Sequence, residues 1–160
     1  MRKAPHFMAY PGVVLLLWAL VFYNAVECRA LFWDGSSFMV NVLDRGRFHD
    51  FYAARAHIDW LTQAPMLLLA DAGMRETRLL TMAYSATLFA VPAALYHLAL
   101  ARVRHDPLLL AAVVAIVAAV YLPTSFFIVG EYNATFAAVT AAMSVTMTTT
   151  GRSVRDAVIL

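Results

Sequence analysis

Leu79–Ala101 reads LLTMAYSATLFAVPAALYHLALA. It carries no carboxylate, lysine or arginine, and a helix of about 20 apolar residues crosses the hydrocarbon core of a bilayer. Pro92 predicts a kink, and His97 falls near the end as a packing or interfacial histidine. Two other runs read the same way. Met8–Val26 has Asn24 as its one strongly polar residue, and Pro107–Val129 is very apolar as far as Pro123. A fourth run, Ala134–Thr150, is richer in Ala and Thr and follows the short polar turn Gly130–Asn133. Ala134, Ala138 and Ala142 repeat at four-residue spacing, which lets helix backbones approach closely in lipid. The threonines can bond their own carbonyls one turn back. The pattern predicts an all-α fold: a polytopic transmembrane helical bundle of about four spans, near 8–26, 79–101, 107–129 and 134–150, within one membrane domain.

Composition agrees. The chain is 62% hydrophobic and 14% charged, against roughly 45–50% apolar for a soluble domain. A net charge of +2 with no basic block gives no sign of nucleic-acid binding. The single cysteine, Cys28, excludes a disulfide within the chain. Phe7–Val26 exceeds the 7–15 residues usual for the apolar part of a signal peptide, so it reads as an uncleaved span. GRSVRDAVIL at the end stops just as a new apolar run begins at Ala157. That predicts the front part of a longer protein.

Arg2 and Lys3, Arg102 and Arg104, and Arg152 and Arg155 fall on one side if four runs cross. The positive-inside rule makes that side cytoplasmic. The long loop 27–78 then lies outside. Within it, RGRFHDFYAARAHIDWLTQAP (45–65) places Phe48, Phe51, Tyr52, Ile58 and Leu61 at helical spacing. This predicts an amphipathic helix on the membrane surface, with Tyr52 and Trp60 in the headgroup layer and Pro65 ending or bending it. Met66–Met74 is too short to span and predicts an interfacial or re-entrant piece.

Three groups could carry chemistry. Asp34 stands between Trp33 and Gly35 shortly beyond the first span, where a turn residue is the simplest reading. Glu131 lies in the turn before the last run, on the same side. A carboxylate between apolar helices costs free energy unless it is solvated, paired or used, and two carboxylates at one cavity suit general-base or metal-assisted chemistry. Arg45, Arg47 and Arg55 suit bidentate phosphate binding at the headgroup layer, beside a solvated face that also holds His49, Asp50, His57 and Asp59. The HExxH spacing of zinc proteases is absent, so no metal ligand set is assigned.

This layout resembles the N-terminal membrane module of the GT-C-fold glycosyltransferases of bacterial membranes, which take sugars from polyprenyl-phosphate carriers. The likeness rests on the topology, on WDG at Trp33–Gly35 and on the acidic turn at Glu131. It implies sugar transfer at the periplasmic face of the inner membrane to a glycan or lipid acceptor. Asp34 would be the catalytic base and Glu131 a second catalytic acid, in some members working through a divalent metal. Arg45, Arg47 and Arg55 would hold the carrier phosphate. Family members often carry paired acids where this chain has Asp-Gly.

Two rivals remain at this level. A transporter subunit would place charges at mid-span, and this chain has almost none there. A non-enzymatic scaffold would let Asp34 and Glu131 point in unrelated directions.

Overall fold

The computed structural model describes residues 6–49, 56–124 and 131–149, with side chains for 9–49, 59–124 and 132–149. The described residues form helices and turns and no strand. Helix α1 is His6–Val26, α2 is Gly35–Arg45, α3 is Ala56–Asp71 and α4 is Thr77–Val103. Helix α5 is Pro107–Ile116; it continues through a π-helical turn, Val117–Tyr121, into α6, Leu122–Thr124. Helix α7 is Glu131–Thr148.

The starts of α4 and α5 follow from capping. The Glu76 carboxylate accepts the Arg78 and Leu79 N–H groups at 3.2 and 3.0 Å. Asp106 accepts those of Leu108 and Leu109, and Pro107 occupies a first-turn position where no N–H is required. The π turn sits just before Pro123. A proline cannot donate to the carbonyl four residues back, and its ring crowds it. The wider turn relieves this: the Leu122 N–H reaches back five residues to Val117.

Three helical stretches are long and apolar enough to cross a membrane: Ala9–Val26, Thr77–Val103 and Pro107–Thr124. They match the first two expected spans and the third as far as Thr124, beyond which the rest of it lies outside the described residues. The fourth, α7, has 18 residues but is more polar and is not among those three. Its hydroxyls bond within the helix as expected, Thr140 to the Phe136 carbonyl at 2.7 Å and Ser144 to Thr140 at 2.8 Å.

Helix α4 is the centre and packs against α1, α3, α5 and α7. Tyr10 and Trp18 of α1 both bond the His97 ring at 3.2 Å. At the other end of this antiparallel pair, the Ala30 N–H donates to Ser85 Oγ at 3.1 Å. Arg102 Nε donates to Thr148 Oγ1 at 3.3 Å, so α7 runs parallel to α4. Leu17, Phe89, Ala93, Tyr96, Tyr121 and Ala137 lie in the core of this bundle.

The small-residue stripe of α7 is corrected. Ala138 and Ala142 are exposed, whereas Ala134, Ala137, Ala141 and Ser144 are buried. Strict four-residue steps drift around an α-helix of 3.6 residues per turn. Alternating steps of three and four stay on one face.

The loop between α1 and α4 also differs from expectation. The helix expected over 45–65 is broken at its start: residues 46–49 are not helical, and the described remainder, from Ala56, belongs to α3. Helix α2 ends at Arg45, and Gly46 takes the left-handed conformation with φ 59° that terminates helices. Phe48 then folds back and stacks on Trp60, ring centroids 5.4 Å apart. Phe38 lies against His49 at 4.5 Å. Phe51, Tyr52 and the side chain of Ile58 lie outside the described residues. Pro65 does not end α3, and Met66–Asp71 is its second half rather than a separate interfacial piece. An interior proline costs about 3 kcal/mol. Met66 and Leu67 are buried against α2 and α4, and each such side chain contributes roughly 1.5–3 kcal/mol, which offsets it.

Two predictions follow from this packing. A Cβ on Gly35 would overlap the Ala30 carbonyl oxygen, whereas one on Gly12 would meet nothing within 4 Å. Gly35→Ala should lower stability by about 1–3 kcal/mol, read as an earlier thermal unfolding midpoint in detergent, while Gly12→Ala leaves it unchanged or raised. Gln63 is fully buried and its Oε1 accepts the His49 N–H at 2.8 Å. Gln63→Leu should cost about 1–3 kcal/mol by orphaning that donor and speed amide exchange at His49. Unchanged exchange there would refute the assigned bond.

Candidate functional site

Asp34 is set by a compact turn. After α1, residues Arg29–Leu31 make one 3₁₀ turn between two non-glycine residues in the left-handed region, Cys28 at φ 53° and Trp33 at φ 57°. Such residues carry strain that the surroundings must hold in place. Here Ala30 does so, 3% exposed and bonded to Ser85. Gly35 is required for space rather than for an unusual φ: its missing side chain admits the Ala30 carbonyl.

Asp34 is the residue just before α2, and its carboxylate makes no capping bond to that helix. The side chain is exposed. Phe32 and Trp33 beside it are 45% and 66% exposed, and the Arg29 guanidinium lies 5.2 Å from the Phe32 ring centre. The carboxylate is therefore accessible, next to aromatic rings that suit a membrane boundary. It is not enclosed.

The other expected residues are placed as follows. Glu131 is the first residue of α7; its side chain lies outside the described residues. The start of α7 is held near α6 by Asn133 Nδ2 bonding Thr124 Oγ1 at 3.4 Å. Because α4 and α7 run parallel, that start is at the same end of the bundle as the Ala30 turn and Asp34. Arg45 is the last residue of α2 and Arg47 follows the Gly46 turn; both are exposed. Arg55 lies outside the described residues. His49 is buried beside Phe38 instead of sharing a helix face with His57. Among the described residues no group of three or more His, Cys, Asp or Glu could hold a metal ion.

Sequence reasoning missed α2 and what it encloses. A cleft of about 280 Å³ lies between α2 and α3, lined by Val42, Leu43, Gly46, Leu67, Ala70, Asp71 and Arg75. The signal was present: Met39 and Val42 fall three apart in GSSFMVNVLDR, with a helix-ending glycine at Gly46. Both are buried against Met66, Leu67, Leu80 and Tyr84.

No protein family, curated protein or solved structure matches the chain.

Proposed function

We propose that this chain is the membrane module of a protein that transfers a sugar from a lipid-phosphate carrier at the membrane boundary. Asp34 activates the acceptor hydroxyl and Glu131 assists, with or without a divalent metal. Arg45, Arg47 and Arg55 attract the carrier phosphate. In this reading loop 27–78 faces the periplasm of a bacterial inner membrane, and the N-terminus is cytoplasmic.

The observation that supports it is the Asp34 turn. A strained, tightly packed backbone holds out a carboxylate that caps no helix, beside exposed aromatics, at the bundle end where α7 begins. A general base must come within hydrogen-bond reach of the proton it takes, and a carboxylate that caps no helix is available to do so. The arginines on the same connection supply the charge that a phosphate requires. The specific reaction, sugar transfer, comes from the family resemblance.

A non-enzymatic assembly role is the second reading. It is favoured by the apolar stripe Tyr132, Phe136, Val139, Met143 and Met147 on the outer face of α7.

The test uses the full-length protein in membranes with a radiolabelled polyprenyl-phosphate sugar. Asp34→Asn and Glu131→Gln should each reduce transfer by about 10²–10⁴-fold with unchanged expression and unfolding midpoint. Transfer that survives both substitutions, or no transfer by the unaltered protein with a panel of donors, sinks the enzymatic reading.

A further inference from the structure

We propose that the cleft between α2 and α3 binds the headgroup of a zwitterionic phospholipid, with the phosphate on Arg75, the ammonium beside Asp71 and the first methylenes against Leu43 and Ala70. The inference rests on the membrane placement of the chain and not on sugar transfer.

The cleft is a built feature. Helix α3 ends in a turn in which the Met74 N–H donates to Leu69 and the Gly73 N–H to Ala70, at 2.9 and 3.0 Å, with Gly73 at φ 92°. This double bond pattern is a rigid helix stop. It carries the chain from Asp71, the last residue of α3, around to Arg75 on the same rim. Helix α2 closes the opposite side with its own left-handed glycine, Gly46. Gly46, Asp71 and Arg75, which line the cleft, are all exposed, so the mouth is open.

The charges select the ligand. Arg75 and Asp71 are both exposed, and among the described residues neither makes a side-chain hydrogen bond or ion pair. Two opposite charges on one rim that do not neutralise each other fit a ligand that carries both signs. The carboxyl ends of α2 and α3 both reach the cleft, and helix carboxyl ends favour a cation. The ammonium therefore belongs on the Asp71 side and the phosphate on Arg75, whose fork of donors matches phosphate oxygens. Polar atoms make up most of the accessible lining, Leu43 and Ala70 add a small apolar part, and a volume of about 280 Å³ admits a headgroup. Phosphatidylglycerol would satisfy Arg75 equally but offer Asp71 a neutral glycerol in place of an ammonium.

The experiment is native mass spectrometry of the full chain in mild detergent, without any sugar donor. It is titrated with phosphatidylethanolamine and phosphatidylglycerol of identical acyl chains, and with glycerophosphoethanolamine as the chain-free competitor. The unaltered protein should retain phosphatidylethanolamine about tenfold better than phosphatidylglycerol, as one charge-assisted contact predicts. Arg75→Ala should lower retention of both lipids by about tenfold. Asp71→Asn should abolish the preference between them. Circular dichroism should show unchanged helix content, since both side chains are exposed. Equal retention of the two lipids by the unaltered protein overturns the proposal, as does binding insensitive to Arg75→Ala. Displacement by glycerophosphoethanolamine at the same concentration as lipid also overturns it, because the apolar wall would then contribute nothing. Sugar transfer, assayed separately, can fail without affecting any of these outcomes.

Discussion

Ala30 is held from both of its peptide groups. Its N–H donates to Ser85 Oγ in α4, and its carbonyl lies in the space left by the missing side chain of Gly35. Buried backbone groups must find partners within the protein, and the cost of failure is highest where the surroundings are apolar. One serine on α4 thus anchors the point where the chain leaves α1 and turns into α2. The left-handed residues Cys28 and Trp33 on either side are tolerated because that anchor over-determines them. The direction of Asp34, the start of α2 and the layer that α2 and α3 form on α4 all descend from it.

The same rule organises the rest of the bundle. The Trp18 N–H donates to His97 Nδ1, so that nitrogen carries no proton; the other ring nitrogen then bears it and faces the Tyr10 hydroxyl. Tyr121 donates to the Phe89 carbonyl at 3.1 Å, and Thr87 to the Thr62 carbonyl at 2.6 Å. Each bond ties a neighbouring helix to α4. Apolar packing supplies most of the attraction in such a bundle, but it slides easily. The polar pairs set the register, because a shift of one residue would leave a buried donor without its acceptor.

The connection from α2 to α3 shows a different balance. Its composition, rich in charge and aromatics, suits an amphipathic helix on a surface. Gly46 instead breaks that helix, and Phe48 and His49 fold back onto Trp60 and Gln63. The result is a helical hairpin with its own small core of Met39, Val42, Met66 and Leu67. Asp71 and Arg75, beyond the expected helix, lie on one rim where α3 ends.

The sequence by itself determined α1, α4 and the stretch Pro107–Thr124 that α5 begins. Each is an unbroken apolar run of about membrane-spanning length, and capping acids at Glu76 and Asp106 mark two of the starts. That signal is local, so no knowledge of neighbours is needed to read it. Asp34 stood out for its surroundings, but its exposure and its independence from the helix cap did not follow from Trp-Asp-Gly. The path of α3 through Pro65, the face that α7 turns to α4 and the cleft between α2 and α3 were decided by tertiary structure. In each case two local tendencies were close in free energy: stop or continue at a proline, one face of small residues or the next, one long helix or two. Burial of Met66, of Ala137 and of Met39 with Val42 chose between them, and burial is a property of residues distant in the chain.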